Sequence, residues 1–270
     1  MVLFKFVGKK IVITIHDIEA FYQEKGFIRT VLYALSDKII VHNQFSKKEL
    51  LSKNKTLEKK VNVIPHGNYL PFLKLSVGAD SARKKIGLTK SEKVILFFGM
   101  IKKVKGLEVL LKAMPKVVQM DDSVRLLIAG KSWKTDFSKY QKIIDHLNIQ
   151  KYCVIHHRFI PDEDVESYYA AADVVALPYK KIYQSGVLLM SMSYETPVVV
   201  SDLEPMKEII NDNVTGLLFE SENSEDLAEK LLLALSSKEK LTLMTSAALK
   251  KLQDDYDWSR IGEQLEKVYK

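Results

Sequence analysis

Two lysines lie close together in a turn bounded by glycines, and this pattern has the chemistry of a diphosphate-binding site. The turn follows the apolar run Val94–Phe98, precedes an amphipathic helical pattern and reads Gly99-Met100-Ile101-Lys102-Lys103-Val104-Lys105-Gly106. Gly99 and Gly106 let the backbone turn tightly and approach a ligand. Lys102 and Lys105 supply the cations that a diphosphate requires, beside the free N–H groups of a helix N-terminus. The alternative is two solvated lysines in an ordinary connection from a strand to a helix.

Two further strand ends carry glycine or serine where a ligand would approach. Gly130 follows the run Arg125–Ala129, where it permits close approach of a ligand or simply ends the strand. After the run Val174–Leu177, a loop leads to Ser185 and Gly186 at the start of a helical pattern. A hydroxyl and unblocked N–H groups would face an anion there, and the helix dipole would add about 0.3–1 kcal/mol. An ordinary serine N-cap is the alternative.

A histidine ends the first apolar run, in Thr14-Ile15-His16-Asp17. At the carboxyl end of a strand and next to a carboxylate, His16 can position or polarise a substrate hydroxyl. A purely structural histidine is the alternative. His66, His156 and His157 lack the spacing of a metal site, and no carboxylate pair with Asp-x-Asp spacing lies at a strand end. The sequence therefore predicts no bound metal.

The elements that must position these residues are short runs rich in Val, Ile and Leu, which alternate with helical patterns. Nearly continuous apolar runs predict parallel strands that are buried on both faces, so the fold class is α/β. The predicted strands are Lys10–Ile15, Lys38–His42, Val61–Ile64, Val94–Phe98, Arg125–Ala129, Val174–Leu177, Pro197–Ser201 and Gly216–Phe219, with a weaker candidate at Cys153–Ile155. The predicted helices are Leu107–Met120, Asp162–Ala172, Leu227–Leu235 and Leu241–Leu252. Ligands of open α/β sheets bind beyond the carboxyl ends of the strands, where the candidate residues stand.

A domain boundary is predicted between Gly67 and Lys90, where Pro65, Gly67 and Pro71 interrupt regular structure. The strands from Val94 onward suffice for a complete doubly wound sheet over residues 91–252. Only three strands precede the boundary, so residues 1–70 are predicted as the second half of a domain whose beginning is absent. Residues 71–90 are predicted as a linker.

Composition and charge limit the classes of protein to which this chain can belong. Of the 270 residues, 47% are hydrophobic and 28% are charged, which is typical of a soluble globular protein. A single cysteine, Cys153, excludes a disulfide framework and favours a reducing compartment. No apolar run reaches the roughly 18–20 residues that span a bilayer, and the start lacks a signal-peptide cleavage site. We therefore expect a cytoplasmic protein.

The net charge of +7 comes from lysines that are interleaved with acidic residues. This arrangement indicates a solvated surface or attraction to the inner face of a membrane. Nucleic acid is excluded as a partner, because no stripe of aromatic and basic residues suits base stacking.

Taken together, five stretches resemble a family 4 retaining glycosyltransferase of the GT-B fold. They follow the family's order and spacing, and they are Phe97–Leu107, Phe159–Val165, Ala171–Tyr179, Gln184–Leu188 with Thr196–Val199, and Thr215–Phe219. The family's two Rossmann-like domains face each other across a cleft, and the C-terminal one holds the donor. The resemblance therefore implies an acceptor-side domain over 1–70, a donor-binding domain over 91–252 and a helix over 253–270 that crosses back to the first domain.

The resemblance also implies roles for individual residues. Lys102, where the family usually has arginine, and Lys105 would hold the donor diphosphate and stabilise it as the leaving group. His16 matches a strand-end histidine near the transferred sugar, and Glu208 occupies an acidic position of the family. The other donor-binding residues would offer phosphate donors, border the nucleobase or shape the glycine turns, and they are Ser185, Gly186, Val187, Phe159, Ile160, Gly99, Gly106 and Gly130.

This sequence departs from the family pattern at three places. The family's two glutamates, eight positions apart, fall at Ile182 and Met190, and the second of them normally holds the ribose. Glu195 replaces the usual glycine before Thr196. The N-terminal strands and the glycine-rich loop that shape the acceptor side are missing.

The function implied is transfer of a sugar from a nucleoside diphosphate sugar to a saccharide or lipid-linked acceptor, with retention of configuration, in polysaccharide or glycolipid synthesis. No cofactor and no metal are expected, because lysines and a helix N-terminus neutralise the departing diphosphate. Two other interpretations stay open. One is a nucleotide-sugar-binding half-enzyme or inactive fragment that needs a partner chain for the missing strands. The other is a sugar-phosphate-binding regulator or an isomerase of similar GT-B fold.

Overall fold

The computed structural model describes residues 8–19 and 26–270, and the chain divides into two compact units. The smaller unit holds the described residues up to Asn68, together with Tyr183–Ser185 and Gln253–Lys270. The larger unit holds Tyr69–Ile182 and Gly186–Leu252.

Strands and helices alternate along most of the described part of the chain. The strands are β1 Val12–Thr14, β2 Lys38–Val41, β3 Val61–Val63, β4 Lys93–Phe98, β5 Val124–Ala129, β6 Cys153–His156, β7 Val174–Leu177, β8 Val198–Ser201 and β9 Leu217–Phe219. The helices are α1 Gly26–Leu35, α2 Gln44–Lys53, α3 Ala79–Ile86, α4 Leu107–Met120, α5 Ser138–His146, α6 Asp162–Ala171, α7 Gly186–Ser193, α8 Glu204–Lys207, α9 Ser224–Ser236, α10 Lys238–Asp255 and α11 Trp258–Tyr269. Short 3₁₀ turns, Lys103–Lys105 among them, complete the connections.

The larger unit is built on a six-stranded parallel sheet with the order β6-β5-β4-β7-β8-β9. Counted from β4, this is the doubly wound order 3-2-1-4-5-6. Every residue of β7 and β8 is buried, and β4 and β5 are buried over most of their length. Burial on both faces accounts for the continuous apolar runs of the sequence. The predicted α/β class with parallel sheets is thereby confirmed.

Helix α4 covers one face of this sheet and has the bounds predicted from its apolar spacing. Its residues Leu107, Leu110, Leu111 and Met114 are fully buried in the main core cluster. Because positions three and four apart share one face of a helix, this spacing turns the apolar side toward the strands and the lysines toward solvent.

The smaller unit has a three-stranded parallel sheet with the order β1-β2-β3. Side chains of β2 alternate between two core clusters, since Ile39 and Val41 pack with Tyr33 of α1, whereas Ile40 packs with Ile261 of α11. Helix α11 therefore covers one face of the sheet that contains β2. Its start is capped by Asp257, whose side chain accepts from the first free N–H groups of the helix.

The segment 71–90, predicted as a linker, contains the regular helix α3. Ala82 and Ile86, four residues apart, are buried, and Gly87 ends the helix with a φ of +87°. Arg83 ties the helix to the sheet, because its Nη2 lies 2.7 Å from the Asp173 carboxylate. The strand pattern did not reveal α3, since three of its eight residues are basic and its apolar face is only two residues wide.

Asp173 fixes the start of two neighbouring strands. Its Oδ2 atom accepts a hydrogen bond of 2.7 Å from the backbone N–H of Val94, at the beginning of β4, and also binds Arg83. Asp173 itself directly precedes β7. The carboxylate thus has a structural role in the stretch Ala171–Tyr179.

Strand β6, the weakest of the sequence predictions, is an outer strand of the larger sheet and begins at Cys153. Burial raises the pKa of the Cys153 thiol to about 12. Among the described residues, no helix has both the length and the hydropathy to cross a bilayer.

Glu195 replaces a glycine of the family that this sequence resembles, and its φ is +52°. A side chain in this left-handed region costs about 1–2 kcal/mol, whereas glycine costs about 0.5–1 kcal/mol in chain entropy. We therefore expect Glu195→Gly to raise the free energy of unfolding by about 0.5–1 kcal/mol, measured by urea unfolding. Asn213→Gly, at a φ of +60°, is the matched control and should gain less, because asparagine tolerates this region. A loss of stability in Glu195→Gly would contradict the expectation.

Candidate functional site

The order of strands in the larger unit reverses between β4 and β7, which are hydrogen-bonded neighbours. Chain connections leave these two strands in opposite directions, and ligands of open α/β sheets bind beyond the carboxyl ends of the strands at such a point. The two segments at this switch point are the lysine turn, Gly99–Gly106, which follows β4, and the segment from Pro178 that follows β7. The candidate site is built from these segments.

Gly106 lets the two segments touch. Its φ is +66°, and a Cβ atom placed on it would lie 1.8 Å from the carbonyl oxygen of Pro178. A hydrogen bond of 2.9 Å from the backbone N–H of Lys180 to the carbonyl of Val104 joins the same segments. The lysine turn is therefore fixed against the end of β7 by backbone contacts that only glycine permits at position 106.

Gly99 and Gly130 let the carboxyl ends of β4 and β5 come close together. A Cβ atom on Gly130 would lie 1.9 Å from the Gly99 carbonyl oxygen, and the φ of Gly130 is +149°. The close approach that Gly130 permits is thus that of a neighbouring backbone. A Cβ atom on Gly99 would lie 3.3 Å from Cγ2 of Val187, so the first turn of α7 rests against the turn after β4.

Lys105 points toward the end of β7. Its Nζ lies 3.7 Å from the centroid of the Tyr179 ring, a cation–π contact, and Tyr179 is buried. Within the part of the chain that the structure describes, neither Lys102 nor Lys105 has a carboxylate partner, whereas Lys180 is paired with Glu108. The two lysines directly precede helix α4, whose N-terminus carries a partial positive charge. A bound anion would offset this unfavourable arrangement of positive charge.

Tyr69 lies at the start of α7 and was not found from the sequence. A Cβ atom on Gly186 would lie 2.8 Å from the Tyr69 hydroxyl, so glycine leaves room for the phenol at the helix N-terminus. Burial raises the pKa of Tyr69, which keeps the hydroxyl protonated as a donor. Its backbone N–H donates to the Ser193 hydroxyl at the other end of the helix. No local pattern could have revealed a contact between residues so far apart in the chain.

The remaining predicted donor-binding residues lie elsewhere along the chain. Phe159 and Ile160 follow β6, and the Phe159 side chain is 70% exposed whereas Ile160 is buried. Glu208 is exposed and follows α8, with its N–H donating to the Glu204 carbonyl. Ser185 is buried and belongs to the smaller unit, directly before Gly186 in the chain.

His16 is exposed and follows β1 of the smaller unit, as predicted from its place at a strand end. Two further histidines, His42 and His66, follow β2 and β3. The ring centroids of His16 and His42 are 4.7 Å apart, and those of His42 and His66 are 6.2 Å apart. The sequence reasoning set His66 aside and overlooked His42, although each of the three ends a strand. Among the described residues, no group of histidine, cysteine and carboxylate side chains is arranged to hold a metal ion.

Comparisons with known proteins give the site a context. A family model described as glycosyl transferases group 1 matches residues 78–251. An uncharacterized glycosyltransferase of Methanocaldococcus jannaschii is 30% identical over 243 residues, which cover 87% of this chain and 60% of that protein. A phosphatidyl-myo-inositol mannosyltransferase of Mycobacterium leprae is 30% identical over 199 residues, covering 70% of this chain and 50% of that protein. The chain thus spans about half the length of these relatives.

A solved structure shares the fold. HepE of Anabaena, in complex with UDP and glucose, has a TM-score of 0.87 and 19% identity, over 99% of this chain and 73% of that one. At that identity the likeness concerns the fold alone, and it confirms the predicted GT-B-like class. The family match over residues 78–251 covers more than half of the 270 residues. The chain belongs to the glycosyl transferases of group 1.

Proposed function

We propose that this chain binds a nucleoside diphosphate sugar and transfers its sugar to a hydroxyl of a saccharide or lipid-linked acceptor, with retention of configuration, as a family 4 enzyme does. The observation that carries the proposal is the pair of lysines, Lys102 and Lys105, at the switch point of the larger sheet. Both precede the N-terminus of α4, and neither has a carboxylate partner among the described residues. A diphosphate is the ligand whose charge and size suit such a turn.

The relatives support the same class of substrates. HepE of Anabaena has been crystallised with UDP-glucose, a nucleoside diphosphate sugar. The mannosyltransferase of Mycobacterium leprae is named for phosphatidyl-myo-inositol, a lipid that carries hydroxyl groups. The net charge of +7 would favour the anionic membrane surface where lipid-linked acceptors lie.

In the proposed reaction the oxygen of the acceptor hydroxyl forms a bond to the anomeric carbon, and the bond from that carbon to the diphosphate oxygen breaks. The proton of the hydroxyl passes to the departing diphosphate. Negative charge grows on the departing diphosphate, and Lys102 and Lys105 stabilise it where it develops. Gly186 and Val187 begin α7, so their N–H groups and the helix dipole would add to this stabilisation. His16 would position a hydroxyl of the sugar.

A thermal-shift screen of nucleotide sugars tests the binding step. A ligand at about 100 times its dissociation constant adds about 2.7 kcal/mol of stability, which for a chain of this size is a shift of about 5–10 °C. We expect this shift with one nucleoside diphosphate sugar and none with the free sugar. The absence of any shift across UDP-, GDP-, ADP- and dTDP-sugars would refute the proposal.

A transfer assay with the same nucleotide sugar tests the chemical step. Release of the nucleoside diphosphate together with a glycosylated acceptor is the expected result. Binding without turnover would favour the half-enzyme that needs a partner chain. Release of nucleotide without glycosyl transfer would favour an isomerase of similar fold.

A further inference from the structure

The His42 ring lies between His16 and the backbone of Ile64, the residue that follows β3, and it contacts both. Its Nδ1 lies 3.0 Å from the carbonyl oxygen of Ile64, and its Nε2 lies 2.9 Å from Nδ1 of His16. These are two hydrogen bonds in series across the carboxyl ends of three neighbouring strands. A neutral imidazole has one N–H group and one lone pair, so the donor in the first bond determines the donor in the second.

A carbonyl oxygen only accepts hydrogen bonds, so Nδ1 of His42 must donate to Ile64. Burial, opposed by the hydrogen bond to Ile64 and assisted by the neighbouring His16 and His66, lowers the pKa of His42 to about 4, so the ring is neutral near pH 7. A neutral imidazole with its proton on Nδ1 has a lone pair on Nε2. That lone pair can only accept, and therefore Nδ1 of His16 must donate to it.

Gln184 is in agreement with this direction. Its amide nitrogen lies 3.1 Å from Nδ1 of His16, while its Oε1 is buried without a hydrogen-bond partner among the described residues. Rotating the amide by half a turn would bring Oε1 beside the N–H of His16, which it would then share with Nε2 of His42. The reverse assignment, with Gln184 donating to Nδ1 of His16, would leave two lone pairs of His16 and His42 facing each other.

We propose that His42 is a positioning residue that holds His16 in the tautomer with its proton on Nδ1. Nε2 of His16 then carries a lone pair, and the exposed ring presents it to solvent. A lone pair accepts a hydrogen bond from a hydroxyl and repels a carboxylate or phosphate oxygen. The tautomer therefore selects a neutral sugar hydroxyl as the group that His16 holds, and this last step rests on the proposed function.

Imidazole nitrogen NMR of the whole chain tests the proposal without any ligand. Two-bond ¹H–¹⁵N correlations near neutral pH should show His16 mainly with its proton on Nδ1. The signals of His16 are the ones that disappear in His16→Gln. Gln184→Leu is combined with the His42 variants, because the Gln184 amide oxygen could otherwise accept from the same N–H. In His42→Phe with Gln184→Leu, which leaves neither side chain as an acceptor, we expect the proton to move largely to Nε2 of His16. In His42→Gln, whose amide oxygen replaces the acceptor, the Nδ1–H form should be retained.

His66→Phe is the matched control, because it removes the imidazole that follows β3 and leaves His42 in place as the acceptor for His16. A proton on Nε2 of His16 in the wild-type chain would overturn the proposal, even if the His42 variants failed to fold. An unchanged His16 tautomer in a folded His42→Phe variant that also carries Gln184→Leu would do the same.

Activity gives a separate measurement. Where transfer is observed, adding His42→Phe to Gln184→Leu should lower kcat/KM by about tenfold, the usual worth of one hydrogen bond, and His42→Gln in its place should restore part of it. The dissociation constant of the free nucleoside diphosphate should not change. Failure of the chain to bind nucleotide sugars would refute the proposed function but leave the tautomer result standing, so the two outcomes are distinguishable.

Discussion

Replacement of Gly106 by alanine is expected to lower the free energy of unfolding by about 2–5 kcal/mol. Two effects add up. The φ of +66° costs a side chain about 1–2 kcal/mol, and the new Cβ would lie 1.8 Å from the carbonyl oxygen of Pro178. Because that oxygen belongs to the backbone, no rotamer change can relieve the clash, and the ends of β4 and β7 must separate. Urea unfolding would measure the loss as a lower midpoint.

Two other glycines separate the clash from the backbone strain. Gly87 has a φ of +87° and nothing would lie within 4 Å of a Cβ atom added to it, so Gly87→Ala reports the strain alone, about 1–2 kcal/mol. Gly78 has a φ of −74° and equally open surroundings, so Gly78→Ala should change stability by less than about 1 kcal/mol. If Gly106→Ala were no more destabilising than Gly87→Ala, the contact with Pro178 would not be the reason for glycine at position 106.

Replacement of Lys105 by alanine is expected to weaken binding of the nucleoside diphosphate sugar by about 10–100-fold, the worth of one charge-assisted hydrogen bond. The rate of transfer should fall by about a further 10²-fold or more, because the charge on the departing diphosphate is largest in the transition state. Stability should change by less than about 1 kcal/mol, since only the cation–π contact with Tyr179 is lost. Calorimetry, a transfer assay and urea unfolding measure the three quantities.

Lys103→Ala is the matched control for Lys105→Ala. Lys103 lies two residues away in the same 3₁₀ turn and is exposed, so the variant removes the same charge without the contact to Tyr179. We expect it to retain affinity within about threefold, since exposed charges are well screened. Equal effects of the two substitutions would mean that net charge alone attracts the ligand, and Lys105 would then have no specific role.

The sheet of the larger unit could be predicted because its strands are buried on both faces. Burial imposes apolar runs that hardly any other structure shows, and even the outer strand β6 was visible at Cys153. The turn after β4 could be predicted because glycines follow the apolar run and a helical pattern begins directly after them. Binding of a diphosphate by Lys102 and Lys105 stays a prediction.

Contacts between distant parts of the chain could not be predicted in the same way. The fit of Gly106 against Pro178 and of Tyr69 against Gly186 depends on which strands become neighbours, and no single segment encodes that. His42 was overlooked because the sequence alone does not show that its ring lies between His16 and the carbonyl of Ile64. Helix α3 was missed because its buried face consists of only Ala82 and Ile86.

The state of Cys153 has a practical consequence for spectroscopy of this protein. Thiol reagents attack the thiolate, and burial, which raises the pKa of the Cys153 thiol to about 12, leaves very little thiolate near neutral pH. The sequence contains no other cysteine. A cysteine introduced at an exposed position such as Met120 would therefore take a maleimide dye or a spin label selectively. Fluorescence and electron-spin measurements on the chain can begin from the natural sequence, without removing its own sulfhydryl.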